Sequence, residues 1–192
     1  MNRKNTEQQS ETAARVLETA SELFYRDGVR AVGVDLIVAR SGIAKTSLYR
    51  YFATKDDLVA AFLEREDAEF WSQWNAVVEP HANDALAALM ALLDWIGRRI
   101  SRDGYRGCPQ INAAAEFSDS EHPARRIRRR HKAQMHDRLL ALVARLGVKR
   151  KERLAAQLAL LIDGAFTSDG RLAKGMAPNI IKSAARALIA AA

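Results

Sequence analysis

The chain has 192 residues, enough for one large domain or two small ones, and 48% of them are apolar, so a packed core can form. One cysteine excludes an intrachain disulfide framework and a multi-cysteine zinc site. No stretch approaches the roughly 20 apolar residues that cross a bilayer; the longest uninterrupted run is Ala85–Leu93. The formal net charge of +7 is unevenly spread: residues 125–151 carry 11 basic side chains against 1 acidic one, while Arg40, Lys45, Arg50 and Lys55 lie in a stretch with no acid. Two local basic zones leave a polyanionic partner open. The polar opening, Met1–Thr12, lacks the apolar core of a secretion signal, and a reducing, cytoplasmic setting is expected.

Few Gly and Pro among many Ala and Leu predict a mostly helical chain. Ala13, Val16, Leu17, Ala20, Leu23 and Phe24 recur at helical spacing and predict a first amphipathic helix, with Gly28 as its left-handed cap. Val34, Ile37 and Val38 fit a short helix, with Asp35 in its first turn and Gly33 where a capping side chain would help. Ser41-Gly42-Ile43 reads as a tight turn, with Gly42 at positive φ, and a second short helix covers Lys45–Tyr51. Two short helices joined by a glycine turn form the helix-turn-helix pattern.

Thr54 and Asp57 resemble a capping box and open a helix to about Val78. A break at Pro80–Asp84 precedes a helix from Ala85 to about Arg102. A short helix follows at Gln110–Phe117, and longer ones at about Pro123–Leu146, Lys151–Arg171 and from near Pro178 to the end. The expected fold is all-α with about nine helices and no strand.

The second short helix crowds Lys45, Thr46, Ser47, Tyr49, Arg50 and Tyr51 together and leaves Leu48 and Phe52 as anchors. A helix entering a major groove needs this mixture, since hydroxyls reach phosphates and longer side chains reach base edges. Lys55 opens the next helix in a position to clamp a phosphate. The stretch GIAKTSLYRYFATKDDLVAAFL at Gly42–Leu63, with Leu48, Tyr49, Tyr51, Phe52, Lys55 and Leu58 in their places, resembles the tetracycline-repressor (TetR) family. Similarity extends through GCPQINAAAEFSDSEHPARR at Gly107–Arg126 and LIDGA at Leu161–Ala165.

The resemblance implies a dimeric transcriptional regulator, usually a repressor, with a helix-turn-helix domain over 1–56 and an effector-binding and dimerisation domain over 57–192. It implies a pseudo-palindromic DNA operator, release by a small apolar effector, no enzymatic activity, no cofactor and no membrane partner. By motif, Lys45, Thr46, Ser47, Tyr49 and Tyr51 would face DNA and Lys55 a phosphate. The chain departs from the family at Gly33, where Ser or Thr is usual. The competing reading is a helical small-molecule-binding protein or enzyme that does not bind DNA.

Leu154, Leu158, Leu161 and Ala165 form one apolar stripe and Ala185 and Leu188 belong to another, so two helices from each of two chains would make a four-helix bundle. The same stripes would serve as intrachain core. Trp74, Trp95, Phe117 and Phe166 are the expected effector-pocket residues, with Asn112, His131 or Asp163 as polar partners, although aromatic residues at such spacing also fill cores. The resemblance implies that Gln110–Phe117 is the lever between pocket and DNA.

The Arg125–Lys132 run reads as a solvated helix face paired with acids from residues 61–124 or as a site for phosphates, an anionic ligand or membrane lipid, and Cys108 as a small hydrophobe or a redox-sensing thiol. His81, His122, His131 and His136 show no metal-ligand spacing.

Overall fold

The computed structural model describes residues 3–168 and 175–192, with side chains from residue 11 onward. Among the described residues there are nine α-helices and no strand. They are α1 (Arg3–Asp27), α2 (Val34–Ser41), α3 (Lys45–Tyr51), α4 (Lys55–Val78), α5 (Ala85–Ile100), α6 (Pro109–Ala115), α7 (Pro123–Ala144), α8 (Lys151–Phe166) and α9 (Ala177–Ala190), with a 3-10 turn at Glu79–His81. Helix α1 begins ten residues before Ala13, the first residue of the apolar stripe that signals it. Helix α8 closes at Phe166, and the part of the expected helix beyond Ser168 lies outside the described residues.

The helix ends have local causes. At the start of α4, Asp57 N–H donates to Thr54 Oγ1 (3.0 Å) and Thr54 N–H to Asp57 Oδ2 (2.9 Å), a reciprocal capping box with Asp in the Glu position. Asp84 caps α5 by accepting from Ala87 N–H at 2.9 Å. Proline stands in the first turn of α6, α7 and α9, where its missing N–H has no intrahelical acceptor to lose. Gly42 closes α2 at φ 66°, the expected left-handed turn, and Gly33 precedes α2 without a side-chain cap.

Packing divides the chain into two units, residues 1–67 with 109–128 and residues 68–108 with 129–192. In the first, Leu23 and Phe24 of α1, Ile37 of α2, Leu48 of α3 and Leu58 and Phe62 of α4 share one buried cluster. Ala113 of α6 and Ile127 of α7 complete it. In the second, α5 contributes Ala88, Leu89, Leu92, Leu93 and Ile96, all fully buried, and packs against α8 and α9. Gly97 is required there: a Cβ on it would lie 2.5 Å from Pro178 Cα, so only glycine lets α9 start this close to α5.

Candidate nucleic-acid interface and effector region

Leu48 is fully buried, and this fixes which way α3 faces. With Leu48 turned into the core, Lys45, Thr46, Tyr49 and Arg50 are exposed at positions i, i+1, i+4 and i+5, which is one continuous helix face. Tyr49 is 42% exposed, high for an aromatic ring. Ser47 and Tyr51 are half-buried, at the margins of this face rather than its centre. Arg50 joins the outer face, although only its neighbours were expected as contacts. Arg40 and Leu36 are exposed on α2.

The electrostatics of this surface are set by two lysines in different surroundings. Lys45 Nζ lies 2.7 Å from Asp35 Oδ1 across the turn, and that hydrogen bond raises the lysine above its ordinary pKa. Lys55 is half-buried, and burial pushes it below the ordinary lysine value, against the pull of Glu116 and Asp56. The expected phosphate clamp thus sits partly out of water beside an acid contributed by the segment after α6.

Among the expected effector residues, Trp74, Trp95 and Phe166 gather around Phe70, whose ring centroid lies 6.1, 5.2 and 6.2 Å from theirs. Trp71 and the buried His131 each lie 5.0 Å from the same ring. Phe70 organises the group, and its centrality is a product of the fold. Phe117 belongs to the first unit, where it stacks on His122 at 3.5 Å and 11°.

Cations border the aromatic group: the Arg138 guanidinium lies 4.6 Å from the Trp71 ring centre, and Lys132 bonds Asp163 beside Phe166. Next to Trp74 is an open cleft of about 420 Å³ lined by Asn75, Val78, Arg138, Leu142 and Arg145.

Burial divides the expected dimer stripe. Leu154, Leu158 and Ala185 are fully buried and Ala165 is nearly so within a single chain. Leu161 and Leu188 are half-buried. The outward faces carry different residues: Ala156, Leu160 and Gly164 on α8, and Ile180 and Ala187 on α9. Leu160, at 73% exposure, stands out among large apolar side chains.

Arg126, Arg129 and Arg130 of the basic run are exposed, and two of its cations bond the main chain. Arg125 Nη1 donates to Phe117 C=O and Arg126 to Glu121 C=O, so these cations tie down the α6–α7 connection. Cys108 is buried. Among the described residues no cluster of His, Cys, Asp and Glu could hold a metal ion, and no helix is long and apolar enough to cross a membrane.

An all-helical chain whose α2–turn–α3 segment turns a polar, cationic face outward is a helix-turn-helix protein of the regulator type. The family profile described as bacterial regulatory proteins, tetR family, matches residues 16–62. The crystal structure of a TetR-family transcriptional regulator from Streptomyces coelicolor superposes with a TM-score of 0.88 at 30% identity, covering 95% of this chain and 96% of that one.

The HTH-type transcriptional activator FasR of Mycolicibacterium smegmatis is 40% identical over 55 residues, 29% of this chain and 25% of FasR. The HTH-type transcriptional repressor KstR of Rhodococcus jostii is 30% identical over 95 residues, 50% of this chain and 43% of KstR. The chain therefore matches less than half the length of these two relatives. It belongs to the TetR family.

Proposed function

We propose that this chain is a DNA-binding transcriptional regulator that inserts α3 into the major groove. The observation that carries this reading is the outer face of α3, where Lys45, Thr46, Tyr49 and Arg50 stand clear of solvent-excluded Leu48. A hydroxyl, a phenol and two long cations at i, i+1, i+4 and i+5 suit both phosphate oxygens and base edges. Residues 1–56 do the reading and residues 57–192 the sensing, with Lys55 and the margin residues Ser47 and Tyr51 adding contacts.

One α3 covers few base pairs, so the working unit is a homodimer on a pseudo-palindromic operator. Its interface uses the outer faces of α8 and α9, around Leu160, Gly164 and Ile180, where exposed apolar and small residues allow close helix approach. The effector is a small, mainly apolar molecule held in the cleft beside Trp74, with Arg138 and Arg145 available for an acceptor group. Its binding favours the state that releases DNA, so that the chain acts as a repressor lifted from its operator by the effector.

The test is a random-oligonucleotide selection with the full chain, followed by fluorescence anisotropy on the selected duplex against salt and random competitor. Nanomolar, competitor-resistant binding with a steep salt slope is expected. Equal, weak binding to selected and random duplexes would overturn the reading in favour of a helical ligand-binding protein that does not use DNA.

A further inference from the structure

Helix α6 has seven residues, too few to keep its place by its own hydrogen bonds. It is anchored at both ends within the first unit. At its start, buried Gln110 donates through Nε2 to the Leu63 carbonyl of α4 at 2.8 Å. Just past its end, the Glu116 carboxylate reaches the turn between α1 and α2. Oε1 accepts from Val29 N–H at 2.8 Å and Oε2 from Arg30 N–H at 2.7 Å.

The exchange is mutual, since Arg30 Nη1 donates back to the Glu116 carbonyl at 3.3 Å. The approach is so close that a Cβ on Gly28, itself at φ 91°, would lie 3.3 Å from Oε1. One carboxylate thus grips two successive main-chain amides across 86–87 residues of chain, and bonds to an ionised acceptor are the stronger kind.

The gripped turn leads directly into α2, and α2 carries α3 through the shared burial of Ile37, Ile43 and Leu48. Gln110 meanwhile fixes the other end of α6 to α4. We propose that Glu116 is the positioning residue for the recognition helix: it ties α6 to the α1–α2 turn, so that the placement of α2 and α3 follows α6. This rests on the DNA-binding reading above. Glu116 touches no DNA in this scheme, and as an acid beside Arg30 and Lys55 it should by charge alone weaken DNA binding. The two effects have opposite signs, and the sign decides between them.

The experiment compares the full-length wild type with Glu116→Gln and Glu116→Asp. Gln keeps the shape but has one acceptor oxygen and no charge. Asp keeps the charge but is one methylene too short to span both amides. Affinity is read by anisotropy on the selected operator and on a random duplex, and amide exchange at Val29 and Arg30 by NMR.

Both variants are expected to bind the operator about tenfold more weakly, with random-duplex binding changed less than about twofold, and to exchange both amides faster. Operator binding as tight as wild type, or tighter in Glu116→Gln, would overturn the proposal, as would equal loss on both duplexes or unchanged exchange. Should Glu116→Gln lose its helical signal, Glu116→Asp carries the same test alone. A wild type that selects no operator overturns the DNA reading and this proposal with it. A selecting wild type with indifferent Glu116 variants overturns this proposal only.

Discussion

Lys45 Nζ sits 2.7 Å from Asp35 Oδ1, so the first cation of α3 already has a partner on the helix before it. The pair is solvent-exposed, where such bonds are weak and salt-screened. Asp35→Asn frees the ammonium for phosphate and removes a repulsive charge. Operator affinity is expected to rise about threefold at low salt, and the slope of log affinity against log salt to steepen by up to about one. Anisotropy at several salt concentrations reads both, and an unchanged slope would place Lys45 away from the phosphates.

Tyr49 and Arg50 share the exposed face of α3. Alanine at either should lower operator affinity by about 1–3 kcal/mol, roughly 5- to 150-fold, while leaving far-UV helicity unchanged. Lys55→Ala should instead weaken all duplexes alike and flatten the salt slope by about one. A uniform loss for Tyr49→Ala across sequences would reassign the tyrosine to the phosphate backbone.

The Thr54–Asp57 box can be tested by calorimetry. Thr54→Ala removes the hydroxyl that accepts Asp57 N–H, a cost of about 1 kcal/mol. The melting temperature is expected to fall by about 2–4 °C for a chain of this size. No shift would mean that α4 starts equally well without its box.

Gly97→Ala should destabilise the chain although alanine is the better helix former. Strain from placing Cβ 2.5 Å from Pro178 Cα costs about 1–3 kcal/mol and exceeds the ~1 kcal/mol gained in propensity, because the obstructing atom is backbone and cannot swing away. Chemical denaturation would show a lower midpoint with unchanged slope; a raised midpoint would contradict the close approach of α5 and α9.

Two leucines on α8, Leu158 and Leu160, test the core against the proposed interface. Leu158→Ala opens a cavity in a fully buried site and should cost about 2–5 kcal/mol. Leu160→Glu, on a side chain 73% exposed, should change the stability of the single chain by less than about 0.5 kcal/mol. It should nevertheless abolish self-association in sedimentation velocity. A Leu160→Glu protein that sediments as a dimer would remove this face from the interface.

The local features were readable from residue order because their causes are local. The Thr54–Asp57 box, the left-handed Gly42, the helix starts near Pro123 and Pro178 and the inward Leu48 each depend on neighbours within a few positions, and all were found as expected, whereas α6 starts at Pro109, one residue before its expected start. The outer face of α3 followed from Leu48 alone, once helix period was applied.

Residue pattern could not decide which apolar stripe meets which neighbour. Leu154 and Leu158 read equally well as core or interface, because helical periodicity records that a face is buried and not against what; packing against α5 and α9 assigned them to the interior and left Leu160 outside. The same holds for Phe117, grouped with the tryptophans by composition and placed by the fold on His122 instead. Glu116 left no trace in the pattern at all: its partners are two main-chain amides nearly ninety residues away, and backbone N–H groups are alike at every position until the chain folds and brings a particular pair within reach.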